Sequence, residues 1–309
     1  MTTNRIANDK DSAFNPSALI HLLIIYVVWG STYLAIRMTV MPGAGFPPFM
    51  MALMRVAAAG SILLLWGWLA KQRIRLARRE ALVLAASGLL LWTGGNGLVT
   101  WAEQHADSGL AALLIGALPI YTTLVESLLD RRRPSGSLVV SLLVGFAGIG
   151  VLTWPSLTSG VRADALSTFA LLVAAISWAS GSILQARNPV DLPARVSSGY
   201  QMLFGGVGFL ALVLLTREPL PTPTTEAWLA WGYLVLIGAV LAYTSFVTAL
   251  RLLPTNIVMT YAYVNPVIAV LLGWLVLGEE ITLWTLGGSL LVLTGVAGVF
   301  RQRYGKKKD

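Results

Sequence analysis

The sequence predicts an all-α membrane protein with ten transmembrane helices, built from two inverted five-helix repeats. Its 309 residues are 56% hydrophobic and only 12% charged, whereas about 25% of the residues of soluble proteins are charged. Apolar stretches of about 20 residues, the length that crosses a bilayer, recur along the chain. The two halves also carry matching motifs at a nearly constant spacing. Together these three features exclude a soluble globular fold.

Ten apolar segments are predicted to span the membrane, and the connectors between them are too short to hold a soluble domain. A tail at 1–17 precedes the segments, and a basic tail at 301–309 follows them. The first segment lacks a small-residue cleavage site, so we interpret it as a retained helix rather than a signal peptide. The ten segments are residues 18–37, 47–69, 81–100, 107–129, 136–154, 165–186, 195–215, 228–250, 255–277 and 282–300.

Matching residues in the two halves indicate an internal duplication. Pro119 and Pro266 are 147 positions apart, as are Gly148 and Gly295, and Trp29 and Trp178 are 149 positions apart. The first five-helix repeat covers 18–154 and the second covers 165–300, with a linker at 155–164 that contains Pro, Ser and Gly. Because each repeat has an odd number of spans, the second must enter the membrane in the opposite sense, an arrangement typical of transporters.

The distribution of basic residues predicts the orientation of the chain. A net charge of +8 on its own is compatible with nucleic-acid binding, but the basic residues are not gathered on one surface. Eighteen of the 22 Lys and Arg residues lie in the two tails and in every second loop, and three lie in the other loops. This bias marks the cytoplasmic side of a membrane protein. We therefore expect both termini in the cytoplasm and no nucleic-acid partner.

Pro119 and Pro266 are the first candidates for a functional role, as hinge or gating residues. Each lies near the middle of the fourth span of its repeat. Proline has no N–H, so the carbonyls of Ile115 and Ala262 lose their usual partners and each helix should kink or unwind. Broken helices at matching positions point to a transport site near the midplane. The alternative is that proline is simply common in membrane helices.

Polar and aromatic side chains within the spans are the candidate lining of a substrate cavity between the two prolines. Buried amides and hydroxyls in lipid are costly unless they have partners or face water, so we expect them to face the interior of the bundle. For the tryptophans, packing and an interfacial position are the alternatives to a cavity role. The candidates are Trp29, Tyr33, Trp92, Asn96, Trp101, Tyr121, Trp178, Ser182, Gln201, Tyr243, Tyr263 and Asn265. Such a lining suits a small amphiphilic substrate.

Arg55 lies inside the second span, and a guanidinium there needs a partner. One interpretation is that it meets a substrate carboxylate or tunes an outward cavity. The others are a structural pair with Glu103 or Asp107, or snorkelling towards the interface. The spans contain no central pair of acidic residues, which favours facilitated movement over obligate proton coupling.

The sequence contains none of the motifs expected of an enzyme. There is no Gly-x-x-x-x-Gly-Lys-Ser/Thr phosphate loop, and no His-Glu-x-x-His or His/Asp cluster that indicates a catalytic metal. We therefore expect no cofactor, no metal and no catalytic residues. The expected partners are a small-molecule substrate and the lipid bilayer, and ten helices suffice to enclose a cavity in a monomer.

These features together resemble the EamA-type branch of the drug/metabolite transporter superfamily. Each half opens with a Trp and small residues, at Trp29 and Trp178, and each fourth helix carries a proline. Residues 277–280 read Leu-Gly-Glu-Glu after the ninth span. The resemblance covers 18–300. The first repeat departs from it, because residues 130–133 read Asp-Arg-Arg-Arg in place of that ending.

The resemblance implies an inner-membrane exporter of small metabolites that works by alternating access. The aromatic interior is most similar to the YddG-like exporters of aromatic and neutral amino acids. Drugs and nucleotide-sugars are alternative substrates on the same fold. Scarce buried carboxylates argue against cationic drugs, and a single buried Arg argues against multiply charged phosphates. A non-transporting membrane enzyme is a third alternative, for which a catalytic cluster is missing.

Overall fold

The computed structural model describes residues 16–102, 104, 108–158, 165–277 and 281–304, and these contain helices and turns but no β-strand. The all-α class is thereby confirmed. In the described residues the helices are α1 Pro16–Val40, α2 Pro48–Leu69, α3 Arg78–Ala102, α4 Ser108–Gly116, α5 Leu118–Asp130, α6 Gly136–Thr158, α7 Ala165–Arg187, α8 Ala194–Thr216, α9 Thr225–Leu252, α10 Thr255–Met259, α11 Tyr261–Leu277 and α12 Leu283–Tyr304.

Eight of these helices are long and apolar enough to cross a membrane: α1, α2, α3, α6, α7, α8, α9 and α12. The predicted fourth and ninth spans are each divided into two shorter helices, α4 with α5 and α10 with α11. A segment of nine or thirteen helical residues is too short to cross a bilayer by itself, since spanning takes about 20. Ten spans therefore remain a prediction, with two of them interrupted.

The first interruption directly precedes Pro119. Helix α4 ends at Gly116, and α5 begins at Leu118, which places Pro119 in the first turn of α5. In a first turn the missing proline N–H costs little, because that group has no intrahelical acceptor. The proline thus begins a new helix instead of bending an unbroken one.

The second interruption lies at Thr260, six residues before Pro266, which stands inside α11. The sequence alone placed this irregularity at the proline. The Thr260 hydroxyl donates to the Ile257 carbonyl oxygen (2.5 Å) and therefore accepts from the Tyr26 hydroxyl of α1 (2.5 Å). Such local side-chain bonds compete with helical ones. A contact with a distant helix, which the local sequence does not reveal, accompanies the break.

Two of the long helices widen into π-helix at corresponding places. The π-helical segment of α3 covers Leu89–Gly97, and that of α9 covers Leu234–Leu241. These are the third helices of the two predicted repeats. Pi-helical turns are rare and are found mostly at functional sites.

Helices at corresponding positions of the two halves pack against each other in antiparallel pairs. In the first pair, Gly60 and Gly67 of α2 lie against Leu203 and Val196 of α8, so residue numbers rise in one helix as they fall in the other. Small residues allow the two helices to approach closely. In lipid, van der Waals packing of this kind holds helices together, because the hydrophobic effect does not act between them.

The second pair joins α6 to α12 through glycines of both helices. Gly148 lies against Val292 and Gly288, and Gly145 lies against Gly295. Helix α1 packs on α9 and α11 of the second half, and α7 reciprocally packs on α3 and α5 of the first half. The core of the molecule is therefore shared between the halves, with both interrupted helices beside it.

Candidate functional site

A cavity of about 80 Å³ lies in the core between the two halves. Helices α1, α2, α3, α7 and α11 contribute to its wall. Six of the residues singled out from the sequence line it: Trp29, Arg55, Trp92, Asn96, Trp178 and Asn265. Pockets that enclose whole ligands usually measure about 300–1,000 Å³. Binding of a metabolite here therefore requires the surrounding helices to move apart.

Both helix interruptions border this cavity. Ile115 and Leu118 line it on either side of the break between α4 and α5. Tyr261, the first residue after the break at Thr260, lines it from the other half. The amide of Asn265, oriented to satisfy its neighbours, donates to the carbonyl oxygens of Tyr261 (3.0 Å) and of Tyr26 in α1 (3.2 Å). The break between α4 and α5 and the break at Thr260 thus lie beside the same cavity.

Trp29 is the centre of an aromatic cluster in the cavity wall. Its ring lies 4.8 Å from Tyr261, 5.2 Å from Phe246 and 5.6 Å from Trp178, measured between ring centroids. Its indole N–H donates to the carbonyl oxygen of Gly238 (3.1 Å), which lies in the π-helical segment of α9. Trp29 and Trp178, at matching positions of the two halves, therefore meet edge to face.

The cavity wall also carries a buried cation. The Arg55 guanidinium lies 5.4 Å from the centre of the Trp92 ring, within the range of a cation–π interaction. The Arg55 Nε and Nη1 atoms are buried and have no hydrogen-bond partner among the described residues. The same holds for the Asn96 amide oxygen and the Trp178 indole nitrogen. Glu103 and Asp107, the proposed structural partners of Arg55, lie outside the described residues.

Gln201, Tyr243 and Ser182 lie outside the cavity lining. Gln201 is fully buried and accepts from the Tyr243 hydroxyl (3.1 Å). Its amide nitrogen donates to the Ser87 hydroxyl (2.7 Å) and also contacts the Gln185 amide oxygen. The Ser182 hydroxyl donates to the carbonyl oxygen of its own preceding turn (2.7 Å). The contacts of Gln201 with Ser87, Gln185 and Tyr243 join α3, α7, α8 and α9.

Tyr263, Trp101 and Tyr121 also lie outside the cavity lining. The Tyr263 hydroxyl donates to the Leu142 carbonyl oxygen (2.8 Å), so this residue ties α11 to α6. Trp101 and Tyr121 are half-buried and pack against the main core. The side chain of Tyr33 lies outside the described part of the structure.

Several residues of the wall were missed from the sequence. Ala174 and Ala175 line the cavity one turn before Trp178, and Thr32 and Ile36 line it after Trp29. Helical spacing from the two tryptophans is the one signal that would have found them. Small and aliphatic residues otherwise look alike whether they face a cavity, a neighbouring helix or lipid.

Replacing Tyr243 by phenylalanine is expected to destabilise the protein by about 1 kcal/mol, because the buried Gln201 oxygen loses its donor. Thermal unfolding in detergent measures the effect. The matched control is Tyr233→Phe, whose hydroxyl pairs with Ser31 at an exposed position and should have little influence. Equal stability of the two variants would show that the buried network contributes nothing.

Within the described residues no group of three or more His, Asp or Glu side chains is placed to hold a metal ion. The hydrogen-bonding groups that line the cavity include indole N–H groups, amides and one guanidinium.

An apolar helical bundle, with interrupted helices on both sides of a central cavity, is the architecture of a membrane transporter. The chain belongs to the EamA-like transporter family, whose profile matches residues 16–154 and again residues 166–301. The family expected from the motifs is thereby confirmed, and its profile occurs once in each half.

Relatives across bacteria and plants share this sequence over most of its length. The "Uncharacterized inner membrane transporter YedA" of Escherichia coli (strain K12) is 35% identical over 84% of this chain and 83% of that protein. "Protein PecM" of Dickeya dadantii (strain 3937) is 30% identical over 88% of this chain and 86% of its own. The "WAT1-related protein At3g02690, chloroplastic" of Arabidopsis thaliana is 23% identical over 89% of this chain and 67% of its own.

A crystal structure has the same fold. It aligns with a TM-score of 0.78 at 19% sequence identity, covering 96% of this chain and 100% of the other.

Proposed function

We propose that this protein is an inner-membrane secondary transporter that exports small metabolites by alternating access. The observation that carries the proposal is the position of the cavity, which is bordered by the interruptions of both halves. Discontinuous helices that meet at a central site are typical of secondary transporters. The relative YedA is named an inner membrane transporter, which supports the same membrane for this chain.

Alternating access requires two halves that rock about a shared site, and inverted repeats supply such halves. The antiparallel packing of α2 on α8 and of α6 on α12 supports the inverted relation. The bias of basic residues supports a cytoplasmic location for both termini. A monomer suffices, because one chain already surrounds the cavity. The small volume of the cavity is compatible with a closed stage of the cycle.

The lining favours neutral or aromatic amino acids as substrates. Three tryptophans, two amides, one threonine hydroxyl and one guanidinium supply an apolar, aromatic surface with a few polar groups. Among the lining residues none is acidic, which disfavours cationic drugs, and a nucleotide-sugar would need more than one cation. Those two substrate classes remain the alternatives on this fold.

Flux into liposomes tests the proposal. Purified protein is reconstituted and preloaded with unlabelled substrate, and counterflow of labelled phenylalanine, tryptophan and leucine is measured against protein-free vesicles. We expect saturable flux of at least one of these amino acids. Absence of flux for every member of a panel that also includes nucleotide-sugars and cationic drugs would refute transport. Flux confined to the latter compounds would redirect the substrate class.

Replacing Pro119 by alanine is expected to slow transport roughly fivefold, the effect of about 1 kcal/mol, while leaving substrate affinity near its original value. Alanine supplies an N–H for the Ile115 carbonyl, so α4 and α5 can join into one stiffer helix. Pro266→Ala tests the counterpart. The matched control is Pro155→Ala, an exposed proline inside α6. Unchanged rates in both hinge variants would argue against a gating role.

A further inference from the structure

Arg55 is a buried cation for which the described residues supply no counter-ion. Its side chain is 3% exposed and lines the cavity. The ion pairs of the described residues lie elsewhere, on Arg73 and Arg187. Burying a guanidinium without an acceptor is strongly unfavourable. A buried cation that faces an internal cavity and has no counter-ion in the described part of the chain therefore indicates that its partner arrives with the ligand.

The contact with Trp92 does not complete the environment of Arg55. A ring face attracts the guanidinium charge, but it accepts none of the N–H groups in a directed hydrogen bond. Two such groups, on Nε and Nη1, remain unpartnered. A carboxylate is the group that suits this guanidinium, because its two oxygens accept in parallel either from Nε and Nη2 or from Nη1 and Nη2. One bound carboxylate therefore satisfies one of the two unpartnered groups together with Nη2.

The same cavity also presents a hydrogen-bond acceptor, whereas Arg55 supplies only donors. The Asn96 amide oxygen is buried, has no partner among the described residues, and lies in the π-helical segment of α3, four residues after Trp92. An oxygen of this kind accepts from an ammonium group. Apart from Thr32 and Asn265, the remaining wall is apolar and aromatic, with Trp29 in α1 and Trp178 in α7.

We propose that Arg55 binds the carboxylate of the transported substrate and that Asn96 accepts from its amino group. The proposal rests on the transport function above and narrows the substrate to small carboxylates with an apolar body, which lies among the tryptophans. A free carboxylate is required by this arrangement, whereas the amino group strengthens binding without being essential.

Matched compounds that differ in one group test the two contacts separately. Phenylalanine carries both groups, 3-phenylpropanoate carries the carboxylate alone, and 2-phenylethylamine carries the ammonium alone. Leucine, 4-methylpentanoate and 3-methylbutylamine form an aliphatic set. Ligand-induced shifts of the unfolding midpoint and counterflow in liposomes are measured for both sets. We expect both acids of at least one set to bind and to be transported, and the corresponding amine to do neither.

Variants assign the contacts to the residues. Arg55→Gln should weaken binding of both acids by about tenfold or more, since a charge-assisted contact is lost, and Arg55→Lys should retain part of it. Asn96→Leu should weaken phenylalanine but spare 3-phenylpropanoate. The control is Arg37→Gln, which removes an exposed cation of α1 and should leave binding unchanged.

Stability of the ligand-free protein distinguishes this role from a structural one. Arg55→Met should keep or raise the unfolding midpoint, because it removes a buried charge that has no counter-ion among the described residues. A structural ion pair predicts the opposite, a marked fall. The proposal is overturned if amines bind as well as acids, if Arg55→Gln binds acids normally, if Arg55→Met is strongly destabilised, or if no member of either set binds. Transport of the amines at rates equal to those of the acids overturns this inference alone, while absence of flux for all compounds overturns the transport function.

Discussion

Replacing Gly148 by alanine is expected to lower the stability of the protein by about 1–3 kcal/mol, the usual penalty of overpacking. A Cβ atom at this position would lie 2.5 Å from the backbone nitrogen of Val292 and 2.9 Å from the carbonyl oxygen of Gly288. Both are backbone atoms, so no side chain can rotate away to make room. Helices α6 and α12 must separate instead, and the close contact between the halves is lost.

Gly150→Ala is the matched control, because it lies in the same helix and no atom lies within 4 Å of its added Cβ. Alanine favours helix over glycine by about 0.5–1 kcal/mol, so this variant should equal or exceed the original protein. Thermal unfolding in detergent, followed by tryptophan fluorescence, compares the two. Equal midpoints for Gly148→Ala and Gly150→Ala would mean that α6 and α12 are held less closely than described.

Replacing Trp29 by alanine is expected to abolish most transport, with a loss of substrate affinity of about tenfold or more. The variant removes three ring contacts, each worth about 0.5–1.5 kcal/mol beyond its buried area. It also removes the hydrogen bond to Gly238 in the π-helical segment. The variant therefore loses the contacts by which the cavity wall joins α1 to α7, α9 and α11.

Trp29→Phe separates the two contributions, since it keeps a ring but loses the N–H, and we expect intermediate flux. Trp68→Ala is the control, because that ring is 61% exposed on the outer surface of α2. Counterflow rates are compared at equal amounts of folded protein. Normal flux in Trp29→Ala would place the transport pathway elsewhere in the bundle.

The fold class and family were predictable because their signals are local. Apolar stretches identify membrane helices one at a time, and the spacing of Pro119 to Pro266 reveals the duplication without any knowledge of packing. The break at Thr260 was not predictable in the same way. It accompanies a hydrogen bond to Tyr26, which is more than 230 positions away in the chain.

The cavity was predictable in part. Six candidates line it, including Arg55 and the three tryptophans nearest the middle of their spans. Gln201 and Tyr243 carried the same signal, a polar group inside an apolar helix, yet they bond to each other. Sequence shows that such a group needs a partner. Whether the partner is a neighbouring side chain or a ligand depends on the rotation of each helix within the bundle.

The pairing of α6 with α12 also limits how early the bundle can be completed during synthesis. The glycines that meet there are separated by about half the chain, as Gly145 and Gly295 show. At a synthesis rate of about 5–20 residues per second, roughly 8–30 s pass between the emergence of the two helices. During that interval the glycine surface of α6 lacks its contact with α12. Each early helix must therefore be stable in the bilayer alone, and the interior is completed only when the last helix arrives.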